Sequence, residues 1–111
     1  MQPEAPLLHD AAQRLVALLS AWSDHEAHRL FADNVALDES FDRRSAAARA
    51  IVARHGALEL LRVEPVTAAR GAVIARGSTS GTELRIEVML APIAGGPVQR
   101  YSVVETTAAP T

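Results

Sequence analysis

Lysine and cysteine are both missing from this chain of 111 residues, in which all 11 basic side chains are arginine. Without lysine there is no Walker A phosphate loop, no Schiff-base lysine and no Ser-x-x-Lys acylation pair. Without cysteine there is no thiol nucleophile, no disulfide and no cysteine-ligated zinc. Any chemistry is therefore left to Asp, Glu, His, Arg, Ser, Thr and Tyr side chains.

Three further absences concern the location and the partners of the protein. No apolar run approaches the roughly 20 residues that a bilayer span needs. A net charge of -2 gives no global attraction to nucleic acid or to anionic membranes. The first residues have neither a basic region nor a long apolar stretch, unlike a secretory signal. We therefore expect a cytoplasmic protein that binds neither nucleic acid nor membrane.

The composition predicts one globular domain. Apolar residues make up 49% of the chain and charged residues 22%, which suits a single core in a chain of this length. No linker, repeat or low-complexity block divides the sequence. The prediction is one domain over residues 1–111, with flexible ends at 1–6 and 106–111.

The first half of the chain is predicted to be mainly helical. Apolar residues recur at three- and four-residue steps over 7–22, which predicts an amphipathic helix that begins with Leu7 on its apolar side. Ser23 and Glu26 have the spacing of a capping box, so a second helix is expected to run to about Phe31.

A third helix is predicted over residues 42–55. Ser40 suits its N-terminus, and Gly56 suits its C-terminus. Its interior is rich in alanine, so we expect it to lie close to the element it covers and to leave a small or closed cavity. Residues 35–38 are long enough only for a short strand ahead of this helix.

After Gly56 the hydrophobic period changes to two, which predicts four strands. The first is expected to end at Pro65, and the others follow at about 70–76, 83–90 and 98–105. In the third strand, Leu84, Ile86, Val88 and Leu90 alternate with Glu83, Arg85, Glu87 and Met89, and we assign the apolar set to the core. A one-residue slip in register reverses the two faces of a strand. The sequence therefore leaves undecided on which face of the sheet Arg62, Arg85 and Arg100 lie. The predicted fold class is α+β.

Residues 18–27 (LLSAWSDHEA) and 30–35 (LFADNV) combine a helix, an acidic turn, a second helix and the entry to a strand. This pattern and the order of elements over about 7–105 resemble the NTF2-like (SnoaL-like, cystatin-like) cone. The resemblance implies three N-terminal helices packed on a curved, mostly antiparallel sheet. It does not imply one activity, since the family includes isomerases, dehydratases, epoxide hydrolases, ligand binders and noncatalytic dimerisation modules.

A narrower similarity is carried by residues 31–38, Arg43-Arg44, His55-Gly56, 90–92 and Val98-Gln99. These segments look like the accessory domain that follows the catalytic domain in some bacterial β-lactamase-like serine hydrolases. The similarity implies that the active serine and its lysine lie on another domain, which is compatible with the lack of lysine here.

Two short motifs favour structural interpretations. Residues 77–81 (GSTSG) superficially resemble a nucleophile elbow, but they lie between two predicted strands, whereas the elbow joins a strand to a helix. A hairpin turn is therefore expected. His25 and His28 share a helix face, but no third ligand has suitable spacing, so we predict no metal site and an exposed polar helix.

The third helix has a basic side made of Arg43, Arg44, Arg49 and Arg54. Arginine can clamp a carboxylate or a phosphate through two parallel hydrogen bonds. The neighbouring acids Asp38, Glu39 and Asp42 favour structural ion pairs instead. One expected pair joins Asp38 to Arg43 or Arg44.

Ligand pockets are lined mainly by aromatic and apolar side chains, with a few polar groups among them, and the candidate pocket residues are chosen on this basis. The wall candidates are Trp22, Phe31, Met89 and Tyr101, and the polar candidates are Asp38 and Arg62. No cofactor and no catalytic residue is predicted.

The outward face of the sheet is the predicted interface. Its candidates mix long polar side chains with Met and Tyr, as protein interfaces do: Arg85, Glu87, Met89, Gln99 and Tyr101. The first interpretation is thus a noncatalytic NTF2-like accessory, dimerisation or small-ligand-binding module that forms a homodimer or packs on a fused partner. The alternative is a small lyase, isomerase or hydrolase that acts on an apolar molecule, with Asp38 or another buried carboxylate as general base.

Overall fold

A computed structural model of the chain describes residues 6–32, 35, 40–92 and 96–105. Within these residues three helices precede four strands: α1 (Pro6–Ser20), α2 (Asp24–Leu30), α3 (Phe41–His55), β1 (Leu58–Thr67), β2 (Arg70–Gly77), β3 (Glu83–Leu90) and β4 (Val98–Glu105). The strands form one antiparallel sheet in the order β1-β2-β3-β4. The predicted α+β class is confirmed. No helix of the described residues is long and apolar enough to cross a membrane.

The helix ends are made by the residues that the sequence indicates. The Ser23 hydroxyl accepts a hydrogen bond from the Glu26 N–H at 3.4 Å, and the Ser40 hydroxyl accepts one from Arg43 at 3.3 Å. Both satisfy a backbone donor that the helix itself leaves without a partner. Gly56 ends α3 with a φ of 81°, a conformation that favours glycine.

The core lies between α1 and the inner face of the sheet. α1 buries Leu8, Leu15 and Leu19 against β1 and β2, and α3 packs beside α1. Leu7 was expected on this apolar side but is 52% exposed, so that prediction was wrong.

Ser20 joins the end of α1 to the start of the sheet. Its hydroxyl donates to the Val16 carbonyl and accepts from the Leu58 N–H, both at 2.9 Å. The single hydroxyl therefore fixes the position of β1 relative to α1.

The predicted faces of β3 are confirmed. Leu84, Ile86, Val88 and Leu90 are at most 4% exposed and belong to the core. Opposite residues of an antiparallel pair share a face, so the register places Val103 and Tyr101, opposite Ile86 and Val88, on the inner face of β4.

A bulge reverses the alternation in the middle of β1. Leu60 lies opposite Ala75 on the inner face, but Arg62 lies opposite Ile74, which leaves Leu61 as the extra residue. Arg62 therefore lies on the outward face, in one row with Ile74 and Arg85. Arg100 also lies outward, since it pairs with Met89.

One predicted strand boundary was wrong, and a second predicted strand lies mostly outside the described residues. β1 continues past Pro65 to Thr67, which an edge strand permits because a proline there need not donate to the ladder. Of the short strand predicted over 35–38, only Val35 is described, and it is helical and buried. The parallel bridge after α2 instead joins Phe31 to Val98, where the Ala32 N–H donates to the Val98 carbonyl at 2.8 Å.

Candidate functional site

All four aromatic residues of the chain meet where α2, α3 and β4 come together. Phe31 and Tyr101 are stacked, with ring centroids 5.3 Å apart and planes 5° from parallel. Trp22 lies 6.1 Å from Phe31 and 6.0 Å from Phe41. His28 packs its ring against Phe41 at 4.8 Å. Of this cluster, Tyr101 lines the space between α3 and β4.

That space is an open groove with a volume of about 450 Å³, which we call the α3–β4 groove. Its apolar lining consists of Leu19, Ala47, Ala48, Ala50, Ile51 and Val103, and the remaining lining residues are Arg44, Arg54, Tyr101 and Ser102. The expectation of a small or closed cavity was wrong. α1 covers β1 and β2 and supports α3 from the side, so the alanine-rich helix does not lie against β4.

Two of the contacts that Arg44 makes lie at the aromatic end of the groove. Its guanidinium carbon lies 5.1 Å from the centre of the Tyr101 ring, and its Nη2 donates to the Val35 carbonyl at 3.3 Å. A cation over an aromatic face is attracted by the ring quadrupole. Arg54 lies ten residues further along α3, which corresponds to about 15 Å at the rise of an α-helix.

The lining of the groove favours binding over acid-base catalysis. None of its described lining residues is Asp or Glu, and the charged ones are Arg44 and Arg54. Guanidinium groups hold carboxylates and phosphates, and they do not act as general bases at neutral pH. The groove can therefore hold an apolar body and fix one anionic group.

The predicted pocket residues are only partly brought together. Trp22, Phe31 and Tyr101 share the aromatic cluster, and Tyr101 lines the groove. Met89, a wall candidate, and Arg62, a polar candidate, lie on the outward face of the sheet and do not line the groove. Asp38, the proposed general base, lies outside the described residues, and so does its expected pair with Arg43 or Arg44.

The predicted interface residues are likewise divided. Arg85, Glu87 and Met89 share the outward face of the sheet. Gln99 lies at a bulge, where β4 has one residue more than β3. Tyr101 was wrong as an outward residue, because it lies opposite Val88 and stacks on Phe31.

A network of ion pairs covers the outward face. Arg62 and Arg85 contact Glu64 at 2.9 and 3.4 Å, and Arg76 contacts Glu59 at 3.0 Å. The hydrogen bond from Arg62 is the largest cause that lowers the pKa of Glu64 below its ordinary value. Ile74 is on this face but only 5% exposed, as expected where arginine stems lie over an apolar side chain.

The segment 77–81 is a turn of the β2–β3 hairpin, as predicted. The His55 carbonyl accepts from the N–H groups of Thr79 and Ser80, and the His55 Nδ1 lies 2.8 Å from the Ser80 hydroxyl. The same hydroxyl accepts from the Thr82 N–H at 3.1 Å. These bonds fasten the turn to the C-terminus of α3. The described residues contain no group of three or more His, Asp or Glu placed to hold a metal ion.

Sequence reasoning missed most of the groove-lining residues. Arg44, Ala47, Ile51 and Arg54 follow one another at steps of three and four residues, which places them along one side of a helix. This spacing was a usable signal. It could not show that β4 would stand away from that side.

Comparison with known proteins gives no relative for this chain. No protein-family model matches it, and neither a curated protein nor a solved structure does.

Proposed function

We propose that this protein is a noncatalytic small-ligand-binding module of the NTF2-like type, and that its ligand is an apolar molecule with one carboxylate or similar anionic group. The ligand occupies the α3–β4 groove. The observation that carries the proposal is Arg44, held over Tyr101 at one end of a groove whose lining is mostly apolar.

The apolar part of the ligand lies along α3. Ala47 and Ala50 are exposed, and Val103 and Tyr101 are only partly buried. A ligand that covers these side chains removes their apolar surface from water, which is the main source of affinity in such sites. The short alanine side chains leave room for the ligand to approach the helix closely.

The anionic group of the ligand pairs with Arg44. A guanidinium that is already oriented by a ring and a carbonyl loses little conformational freedom on binding, so more of the interaction appears as affinity.

The order of elements supports the NTF2-like assignment. Helices precede an antiparallel sheet, and the segment after α2 bridges to the start of β4 at Phe31 and Val98. The groove lies between the third helix and the sheet, which is where the cone of that family has its pocket. An accessory role beside a catalytic domain is part of the proposal. Dimerisation through the outward face stays a separate prediction.

Titration with decanoate tests the proposal, because this probe has an apolar chain and a carboxylate in about 12 non-hydrogen atoms. Calorimetry should give saturable binding, and decanamide, which lacks the charge, should bind at least about tenfold more weakly. Arg44→Gln should abolish that preference for the acid. Saturable binding with no preference would refute the role of Arg44.

A bulky residue introduced into the groove provides a second test of the binding site. Ala47→Phe should block decanoate, because Ala47 lines the groove, whereas Ala46→Phe is a matched control on an exposed position of α3 outside it. Thermal unfolding of both variants is the check that they fold. Equal affinities of the two variants would refute the groove as the binding site.

A further inference from the structure

β4 is an edge strand that lines the α3–β4 groove, and the direction of its backbone groups follows from the sheet. The Leu90 N–H donates to the Ala69 carbonyl at 2.8 Å, so the backbone groups of Leu90 point toward β2. The backbone groups of successive residues in a strand point to alternate sides. Glu87 therefore bonds with β4 at Ser102, its partner in the register. Val103, the next residue, directs its N–H and carbonyl to the open side of β4.

The open side of β4 faces the α3–β4 groove. Ser102 pairs with Glu87 on the outward face of the sheet, yet it lines the groove together with Val103. The groove therefore extends to the edge of the strand. Among the described residues, no hydrogen bond uses the Val103 N–H or carbonyl on this side. An edge with unused backbone groups is a template for a further strand.

The two edges of the sheet differ in how well they could accept such a strand. β1 has bulges that leave Leu61 and Val66 as extra residues, and it contains Pro65. Bulges and prolines are the features that hinder pairing at an edge. The pairing of β4 with β3 is regular over 100–105, and this stretch contains no proline. β4 is therefore the edge that suits an added strand.

The edge of β4 is already occupied at its beginning. Phe31 forms a parallel bridge with Val98, and the Ala32 N–H donates to the Val98 carbonyl at 2.8 Å. A strand added beside Val103 thus has to end, or to turn away, near Tyr101. The guanidinium of Arg44 lies 5.1 Å from the centre of the Tyr101 ring. A chain end at this point is favoured if it is a carboxylate, whereas a terminal ammonium group would be repelled.

We propose that the α3–β4 groove binds the C-terminal segment of another protein, which adds to β4 as a further strand and places its terminal carboxylate at Arg44. The added strand is antiparallel to β4, because it passes Val103 before it ends at Tyr101. This inference rests on the proposed function, since it uses the same groove and the same arginine. It adds that the ligand is recognised through its backbone.

The pairing also predicts which side chains of the segment matter. Opposite residues of an antiparallel pair share a face, so the residues opposite Tyr101 and Val103 point into the groove. These are the last residue of the segment and the third from its end, and they contact the side of α3 that carries Ala47 and Ile51. The residue between them points outward. Apolar side chains are therefore expected at the last and third-last positions, and the second-last position is unrestricted.

The probe is the peptide acetyl-Gly-Ser-Val-Thr-Val with a free carboxylate. Its binding to the full chain is followed by amide chemical shifts up to about 5 mM, since short segments bind weakly. The peptide with a C-terminal amide should bind at least about tenfold more weakly, and Arg44→Gln should abolish this difference. Equal binding of acid and amide by the unchanged protein would overturn the proposal.

N-methylation of the peptide tests the added strand itself. A methyl group on the nitrogen of the third-last residue removes the N–H that bonds the Val103 carbonyl, so it should weaken binding at least about tenfold. The same change at the second-last residue is the matched control, because that N–H points away from β4. The Val103 amide hydrogen should also exchange more slowly in the complex. Equal effects of the two methyl groups would overturn the pairing with β4.

The decanoate titration separates this inference from the proposed function. Decanoate binding without peptide binding would overturn the added strand and leave the small-ligand proposal standing. Peptide binding that depends on Arg44, without decanoate binding, would support the added strand and refute the small-ligand proposal. Protection of the Val103 amide that rises with protein concentration in the absence of peptide would show that a second copy occupies the edge, and it would also overturn the proposal.

Discussion

The contact between Arg44 and Tyr101 should contribute measurably to stability and can be isolated by a double-mutant cycle. Arg44→Gln removes the cation from the ring and the hydrogen bond to the Val35 carbonyl. Tyr101→Leu removes the ring from both Arg44 and Phe31. A cation over a half-buried ring is worth about 1 kcal/mol, and a stacked aromatic pair adds about 0.5–1.5 kcal/mol.

We therefore expect Arg44→Gln and Tyr101→Leu each to lower the free energy of unfolding by about 1.5–2.5 kcal/mol. The double variant should lose about 1 kcal/mol less than the sum of the two, because the shared contact is counted only once. Urea unfolding followed by circular dichroism measures all four corners of the cycle, and it does not depend on the fluorescence of Trp22.

A second cycle supplies the control. Arg49 lies on the other side of α3 and lines a different depression, so Arg49→Gln and Tyr101→Leu should be additive within about 0.5 kcal/mol. Additivity in the Arg44 cycle as well would refute the reasoning, because Arg44 would then gain nothing from the ring. The same result would remove the argument that Arg44 is preorganised for a ligand.

Three further outcomes are expected. Ser20→Ala leaves the Leu58 N–H without its 2.9 Å acceptor and should lower the free energy of unfolding by about 1–3 kcal/mol, whereas a change below about 0.5 kcal/mol in urea unfolding would show that water replaces the hydroxyl. Because the Arg62 hydrogen bond lowers the pKa of Glu64 in the folded state, this carboxylate stabilises the fold above its ordinary pKa, and the contribution is lost as the pH falls through the folded pKa. Glu64→Gln should thus flatten the acid limb of the stability profile, and superimposable profiles would contradict the assignment. If the outward face forms a homodimer, Met89→Glu should shift sedimentation toward the monomer, and an unchanged dimer would exclude that face.

The ends of the helices and the faces of β3 could be predicted from local residues. Ser40 and Gly56 mark the two ends of α3. The Ser40 hydroxyl accepts a hydrogen bond from a backbone N–H of the first turn, and the left-handed conformation of Gly56 ends the last turn. Apolar and polar residues alternate strictly in β3, so only one assignment of its two faces places the apolar set against the helices. Neither inference requires knowledge of distant residues.

The candidate site was harder to predict, because its parts are far apart in the chain. Tyr101 was placed on both the pocket and the outward face, and only its pairing with Val88 selects the inner face. Arg44 was assigned to structural ion pairs, since nothing in the sequence brings it to Tyr101. Contacts between α3 and β4 depend on how α1 holds the helix away from the sheet.

The sequence by itself determined the class of the fold, the order of the three described helices and four strands, the caps of α2 and α3 and the apolar face of β3, because each depends on residues within a few positions of one another. The tertiary structure decided the faces of Arg62 and Tyr101 and the opening of the α3–β4 groove. A bulge at Leu61 arises from pairing with β2, and one extra residue there turns Arg62 outward. The groove exists because α1 fills the inner face over β1 and β2 and leaves the inner face of β4 only partly covered.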